Sequence, residues 1–181
     1  MMTHWQDYKR ATMATALYPE AGTGSPVEIA YLSLGLIGEV GEISDVFKDA
    51  HFKQEKVLGE LGDCFWYIAR LDDTLLKLSN DHQLVELKVD LEKLYHTDNV
   101  FSFANFSKKL IRDGVQAVPK VSEALQNITM FVTTYAAGAL MTLGHPEPTI
   151  ETISEHILYP NLEKLLSRKE RGVINGSGDN R

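Results

Sequence analysis

The chain has 181 residues, 44% hydrophobic and 24% charged, with a formal charge of −7 and a pI near 5.3. That length supports one well-buried core and is short for two domains, and the acidic balance argues against a protein whose work is to coat duplex nucleic acid, which needs a basic surface. The single cysteine, Cys64, excludes an internal disulfide and every multi-cysteine zinc site; a reducing, cytoplasmic compartment is the natural expectation.

Period-2 alternation is nearly absent, while apolar residues recur at three- and four-residue steps, which predicts an all-α helical bundle. The polar N-terminus MMTHWQDYKR lacks the apolar stretch of a signal peptide. A first helix is expected over Thr3–Leu17, stopping at the Tyr18-Pro19 step because proline disfavours helix in the residue before it. Glu20 to Gly24 form a loop. Ser25, Pro26 and Glu28 then supply a cap, a first-turn proline and a first-turn acid, starting a helix that runs to about Lys48.

A third helix is expected over Glu55–Leu78, and others over Leu84–Tyr95, Phe103–Arg112, Pro119–Leu143 and Thr149–Arg168. Residues 1–170 thus form one domain and the glycine-rich 171–181 a tail. The uncharged stretch Leu125–His145 contains Gln126, Asn127 and four threonines. It is expected to be a buried helix and not a membrane span. Cys64, inside a helical pattern and followed by aromatics, is expected to be inert and buried.

The informative pattern is a pair of acidic doublets at i,i+3 on consecutive helices: Glu39 with Glu42, and Glu60 with Asp63. Three residues of helix turn the chain through about 300°, so each doublet shares a face. Two antiparallel helices joined through residues 49–54 can set the doublets opposite one another. Four facing carboxylates repel strongly, and a divalent cation removes that cost. Oxygen ligands select Mg²⁺, with Mn²⁺ or Ca²⁺ possible, over zinc. Gly35, Gly38, Gly41, Gly59 and Gly62 fall between the acids, and each costs roughly 1 kcal/mol in a helix. Close approach of the helices, or of a ligand to them, is the expected reason. The alternative is that the acids line a solvated face, as such doublets commonly do.

These residues resemble the MazG-like, or all-α NTP pyrophosphatase, superfamily. GLIGEVGEISDVFKD is similar to its first metal helix, ELGDCFWYIARL to its second, and NLEKLLSRKERG to its closing Asn, Lys and Arg pattern, here Asn161, Lys164 and Arg168. The resemblance implies a four-helix core, and about 85 residues, Asp73–Ile157, intervene as a helical extension like that of longer phage-type members. It implies Mg²⁺-dependent hydrolysis of a (d)NTP between the α- and β-phosphates, with Glu39, Glu42, Glu60 and Asp63 as metal ligands. Glu42 is the candidate base, with Glu39 beside it. Asn161, Lys164 and Arg168, and more weakly Lys48, would contact phosphate. A homodimer or larger homo-oligomer is the family's usual state.

Trp66 and Tyr67 are expected in the core, and Trp5 and Tyr8 are the better base-facing candidates. The tail, with Arg171, Asp179 and Arg181, is a candidate lid. Selectivity for dUTP or dCTP and a non-catalytic nucleotide- or partner-binding module are the competing functions. A di-iron oxidoreductase is set aside, because no histidine forms a Glu-x-x-His pair with these acids.

Overall fold

The computed structural model describes residues 4–46, 48, 51, 53–90 and 98–173, and among these all regular structure is helical. Helix α1 (His4–Thr12) passes into a 3₁₀ turn, Met13–Thr15. Buried Arg70 ends it. Its guanidinium donates to Lys9 O and Thr12 Oγ1, each at 3.0 Å, satisfying groups that a helix C-terminus leaves free. The α-helical part therefore stops short of the expected Leu17.

The loop that follows has positive φ at Glu20, Gly22 and Gly24. Glu28, fully buried in the first turn of α2 (Pro26–Val46), gathers that loop. Its carboxylate accepts from Tyr18 Oη at 2.8 Å, Gly22 N at 2.6 Å and Gly24 N at 2.7 Å. Ser25 caps the helix as expected, its Oγ accepting from Glu28 N at 3.1 Å.

Helices α2 and α3 (Gln54–Leu78) pack along each other, and α4 (Asp98–Asp113) and α5 (Val118–Thr142) complete a ring in which α2 and α5 each pack on both α3 and α4. Leu32, Leu36, Leu61, Phe65, Phe103 and Leu125 are fully buried within one continuous core. Each contributes roughly 1.5–3 kcal/mol by leaving water. The helical extension over Asp73–Ile157 thus supplies α4 and α5, half of the four-helix ring.

A run of α6 (Ile150–Ile153), a π turn at Ser154–Leu158 and α7 (Tyr159–Glu170) packs with α1 against α3. The wide turn precedes Pro160, whose ring crowds the carbonyl four residues back and which has no N–H to offer it. No helix of the described residues is long and apolar enough to cross a membrane, and α5 is buried instead.

A second boundary and one whole helix also need correction. Helix α2 ends at Val46, and Lys48 stands in a turn. The helix expected over Leu84–Tyr95 is absent from its described part, since Gln83–Asp90 carries no regular structure and Tyr95 lies outside the described residues. Side chains hold this strap in place of a helical ladder. Asp72 Oδ1 accepts from Val85 N at 2.9 Å, Trp5 Nε1 donates to Val85 O at 3.2 Å, and the Gln126 amide makes two 3.0 Å bonds to the backbone N and O of Glu86.

Candidate metal centre

The antiparallel pairing of α2 and α3 sets Gly35 against Tyr67, and brings Glu39 and Glu42 to Glu60. A Cβ at Gly35 would fall 2.2 Å from Tyr67 Cε1, so this glycine admits the tyrosine ring. One carboxylate oxygen from each of Glu39, Glu42 and Glu60 lies within 4.8 Å of the others. Glu60 is buried, Glu39 half-buried and Glu42 exposed. The set thus runs from the core to solvent. Three hard oxygen donors on two rigid helices fit a Mg²⁺-type cation that keeps part of its water.

Asp63, the fourth expected ligand, stands beside this trio with its own partners. Lys164 Nζ lies 2.7 Å from both of its oxygens, and Asn161 Nδ2 donates to Oδ1 at 2.6 Å. The closing helix α7 is thereby fastened to the acids of α3. Gly62 makes this possible, since a Cβ there would fall 2.8 Å from Asn161 Cβ. At Gly38, Gly41 and Gly59 nothing lies within 4 Å of such a Cβ. Close approach therefore explains two of the five glycines, and nothing in the structure explains the other three.

Burial, followed by the charges of Asp63, Glu42 and Glu60, pushes the Glu39 carboxyl up to about 8 against the opposing pull of Lys164. Burial and the neighbouring carboxylates both disfavour the charged form of Glu39, and a cation at the trio would offset them.

Beside the trio opens a cavity lined by Thr15, Tyr18, Tyr31, Glu39, Asp63, Trp66, Tyr67 and Arg168, among others. Tyr18 and Tyr31 stack with ring centroids 4.8 Å apart. Trp66 is anchored by its Nε1, which donates to Thr15 Oγ1 at 2.9 Å. Glu42 and Glu60 face a separate cleft that also holds His51, Lys53 and Lys56.

Asn161 and Lys164 bond to Asp63, and Arg168 lines the cavity with Glu39 and Asp63, whereas Lys48 is exposed and pairs with Asp45. The base-facing expectation for Trp5 and Tyr8 is corrected: Trp5 is 4% and Tyr8 0% exposed, and they stack on each other in the core. Trp66 is buried as expected, but it and half-buried Tyr67 also line the cavity. Tyr31 was missed. It lies two helical turns before Glu39 on α2, and the spacing Tyr31, Gly35, Glu39 was a legible sign of a shared face. Cys64 is fully buried, and burial raises its thiol well above the usual range. Of the tail, Asp179 and Arg181 lie outside the described residues, and Arg171 is exposed.

Fold and site together define an all-α bundle with a carboxylate trio, one member of which, Glu39, lines an aromatic cavity. No family model matches the chain, and no solved structure matches it. It is similar to the Gene 37 protein of Mycobacterium phage L5, 38% identical over 82 residues, which cover 40% of this chain and 72% of the phage protein. The chain belongs to the family of that phage protein.

Proposed function

We propose that the protein is a Mg²⁺-dependent nucleoside triphosphate pyrophosphohydrolase of the MazG-like type, cleaving a (d)NTP to the monophosphate and pyrophosphate. The observation that carries this reading is the convergence of Glu39, Glu42 and Glu60 oxygens within 4.8 Å. The acidic spacing on α2 and α3 supports it, as do Asn161 and Lys164 on Asp63.

Glu39, Glu42 and Glu60, with Asp63 at their edge, would hold Mg²⁺, and Mn²⁺ satisfies the same donors. When bound, the metal supplies neutralisation of phosphate charge and activation of a water for attack at the α-phosphorus. Glu42, the most exposed of the three, would be the proton acceptor, with Glu39 beside it. Lys164 and Arg168, half-buried on one face of α7, would engage phosphate oxygens outside the metal's ligands. The rings of Tyr18, Tyr31 and Tyr67 suit a stacked nucleobase.

The same reading makes the protein cytoplasmic and self-associating. Val27 and Leu34 are exposed on one side of α2, an apolar face that a second copy would cover.

Phosphorus NMR of reactions with each NTP and dNTP, with and without Mg²⁺, tests the proposal. Monophosphate and pyrophosphate should form only with metal, and the ranking of bases would show whether dUTP or dCTP is preferred. Glu60→Gln should lower the rate roughly 10–100-fold or more. Absence of products from every nucleotide would instead favour a non-catalytic nucleotide- or partner-binding module.

A further inference from the structure

Tyr8 lies on α1, outside the helices that carry the acids, yet it is joined to them by two hydrogen bonds. Its ring is fully buried, and Oη donates to Asn161 Oδ1 at 3.0 Å while Asn161 Nδ2 donates to Asp63 Oδ1 at 2.6 Å. An asparagine ends in one acceptor oxygen and one donor nitrogen. With the Asp63 carboxylate on one side, only the nitrogen can face it without setting oxygen against oxygen. The amide oxygen then points away and needs a donor. Tyr8 is that donor, and burial together with the Asp63 charge keeps its phenol protonated.

The amide has little room to leave this arrangement. Asn161 is 4% exposed and is seated against the α3 backbone at Gly62. Trp5 stacks on the Tyr8 ring, with centroids 5.8 Å apart, so the phenol is held as firmly as the amide. Three helices, α1, α7 and α3, thus meet in one chain from Tyr8 through Asn161 to Asp63.

We propose that Tyr8 is a positioning residue of this site: through Asn161, and beside Lys164 on both carboxylate oxygens, it orients the Asp63 carboxylate, which makes α1 part of the reaction apparatus. The proposal rests on the pyrophosphohydrolase reading for its kinetic consequence, but the hydrogen-bond chain stands independently of it. Tyr8→Phe keeps the ring, the stack and the core volume. It removes one O–H and leaves the buried Asn161 oxygen without its donor.

The test compares wild type, Tyr8→Phe, Asn161→Ala and the double variant in Mg²⁺-dependent pyrophosphate release. In parallel, NMR of the ¹⁵N-labelled Asn161 side-chain amide is recorded for wild type and Tyr8→Phe. The expected result is a fall in kcat of about tenfold for Tyr8→Phe, with KM changed less than about twofold. The same substitution should cost nothing further in the Asn161→Ala background. The Asn161 amide protons should exchange slowly in wild type and much faster in Tyr8→Phe. Unchanged kcat in Tyr8→Phe, or an equal loss in both backgrounds, would overturn the proposal. If wild type releases no pyrophosphate, the functional reading falls, and the amide exchange still decides for or against Tyr8 as the residue that sets Asn161.

Discussion

Glu28 and Glu39 lie three turns apart on α2, both withdrawn from water, and their carboxyls shift in opposite directions. Burial works to raise Glu28, but the amides of Gly22 and Gly24 and the Tyr18 hydroxyl outweigh it and hold the carboxyl below its usual range. A lowered folded value binds protons less tightly than the unfolded chain does. Its stabilisation is therefore present above the ordinary glutamate value and lost as pH falls through the lowered one. Glu28→Gln is expected to cost about 1–3 kcal/mol at neutral pH and less in acid, measurable as urea midpoints across a pH series.

For Glu39 the sign reverses. With its carboxyl pushed up to about 8, the folded, metal-free protein binds this proton more tightly than the unfolded chain does. The contribution is complete below the ordinary glutamate value and lost as pH rises through about 8. Thermal scans in chelator should show stability falling over that window, and Mg²⁺ should restore it. The doublets Glu39/Glu42 and Glu60/Asp63 were legible because i,i+3 is local geometry. That Asp63 is held by Lys164, 101 residues further on, was not. Nor could sequence reveal that Tyr8 serves Asn161 and not a base, because an amphipathic helix does not say what its buried hydroxyl meets.

Among the elements, α2 is readable from its period and its Ser25 cap, and α3 from its long apolar run, which is buried on most sides. The strap at 83–90 was misread for an identifiable reason. Val85 is buried and Leu87 and Val89 half-buried, while Leu84, Glu86 and Lys88 face out, a short period-2 run inside a chain whose other segments repeat at 3.6. What decides the matter is distant in sequence. The Gln126 amide takes both backbone groups of Glu86, and Asp72 takes Val85 N while also meeting His82 Nε2 at 2.6 Å. Gln126→Ala is expected to cost about 1–2 kcal/mol and to speed amide exchange at Glu86 while exchange in α3 is unchanged. Equal acceleration in both would mean that the strap is held by its apolar side chains and not by this amide.

For the whole molecule, a four-helix ring in which α2 and α3 supply the acids, with α1 and α7 packed on α3, brings residues from both ends of the chain to one site. The all-α class and the single core follow from length and period, whereas the placement of α4 and α5 within the ring depends on long-range packing that no local pattern encodes. On the proposed reading, this ring holds a divalent cation between Glu39, Glu42 and Glu60. Calorimetric titration of metal-free protein with Mg²⁺ at neutral pH tests it most directly, run beside a Glu39→Gln/Glu60→Gln variant whose helical circular dichroism is intact. Saturable binding by the wild type, accompanied by proton release and lost in the variant, is the predicted result; no binding by the wild type, or equal binding by both proteins, would contradict it.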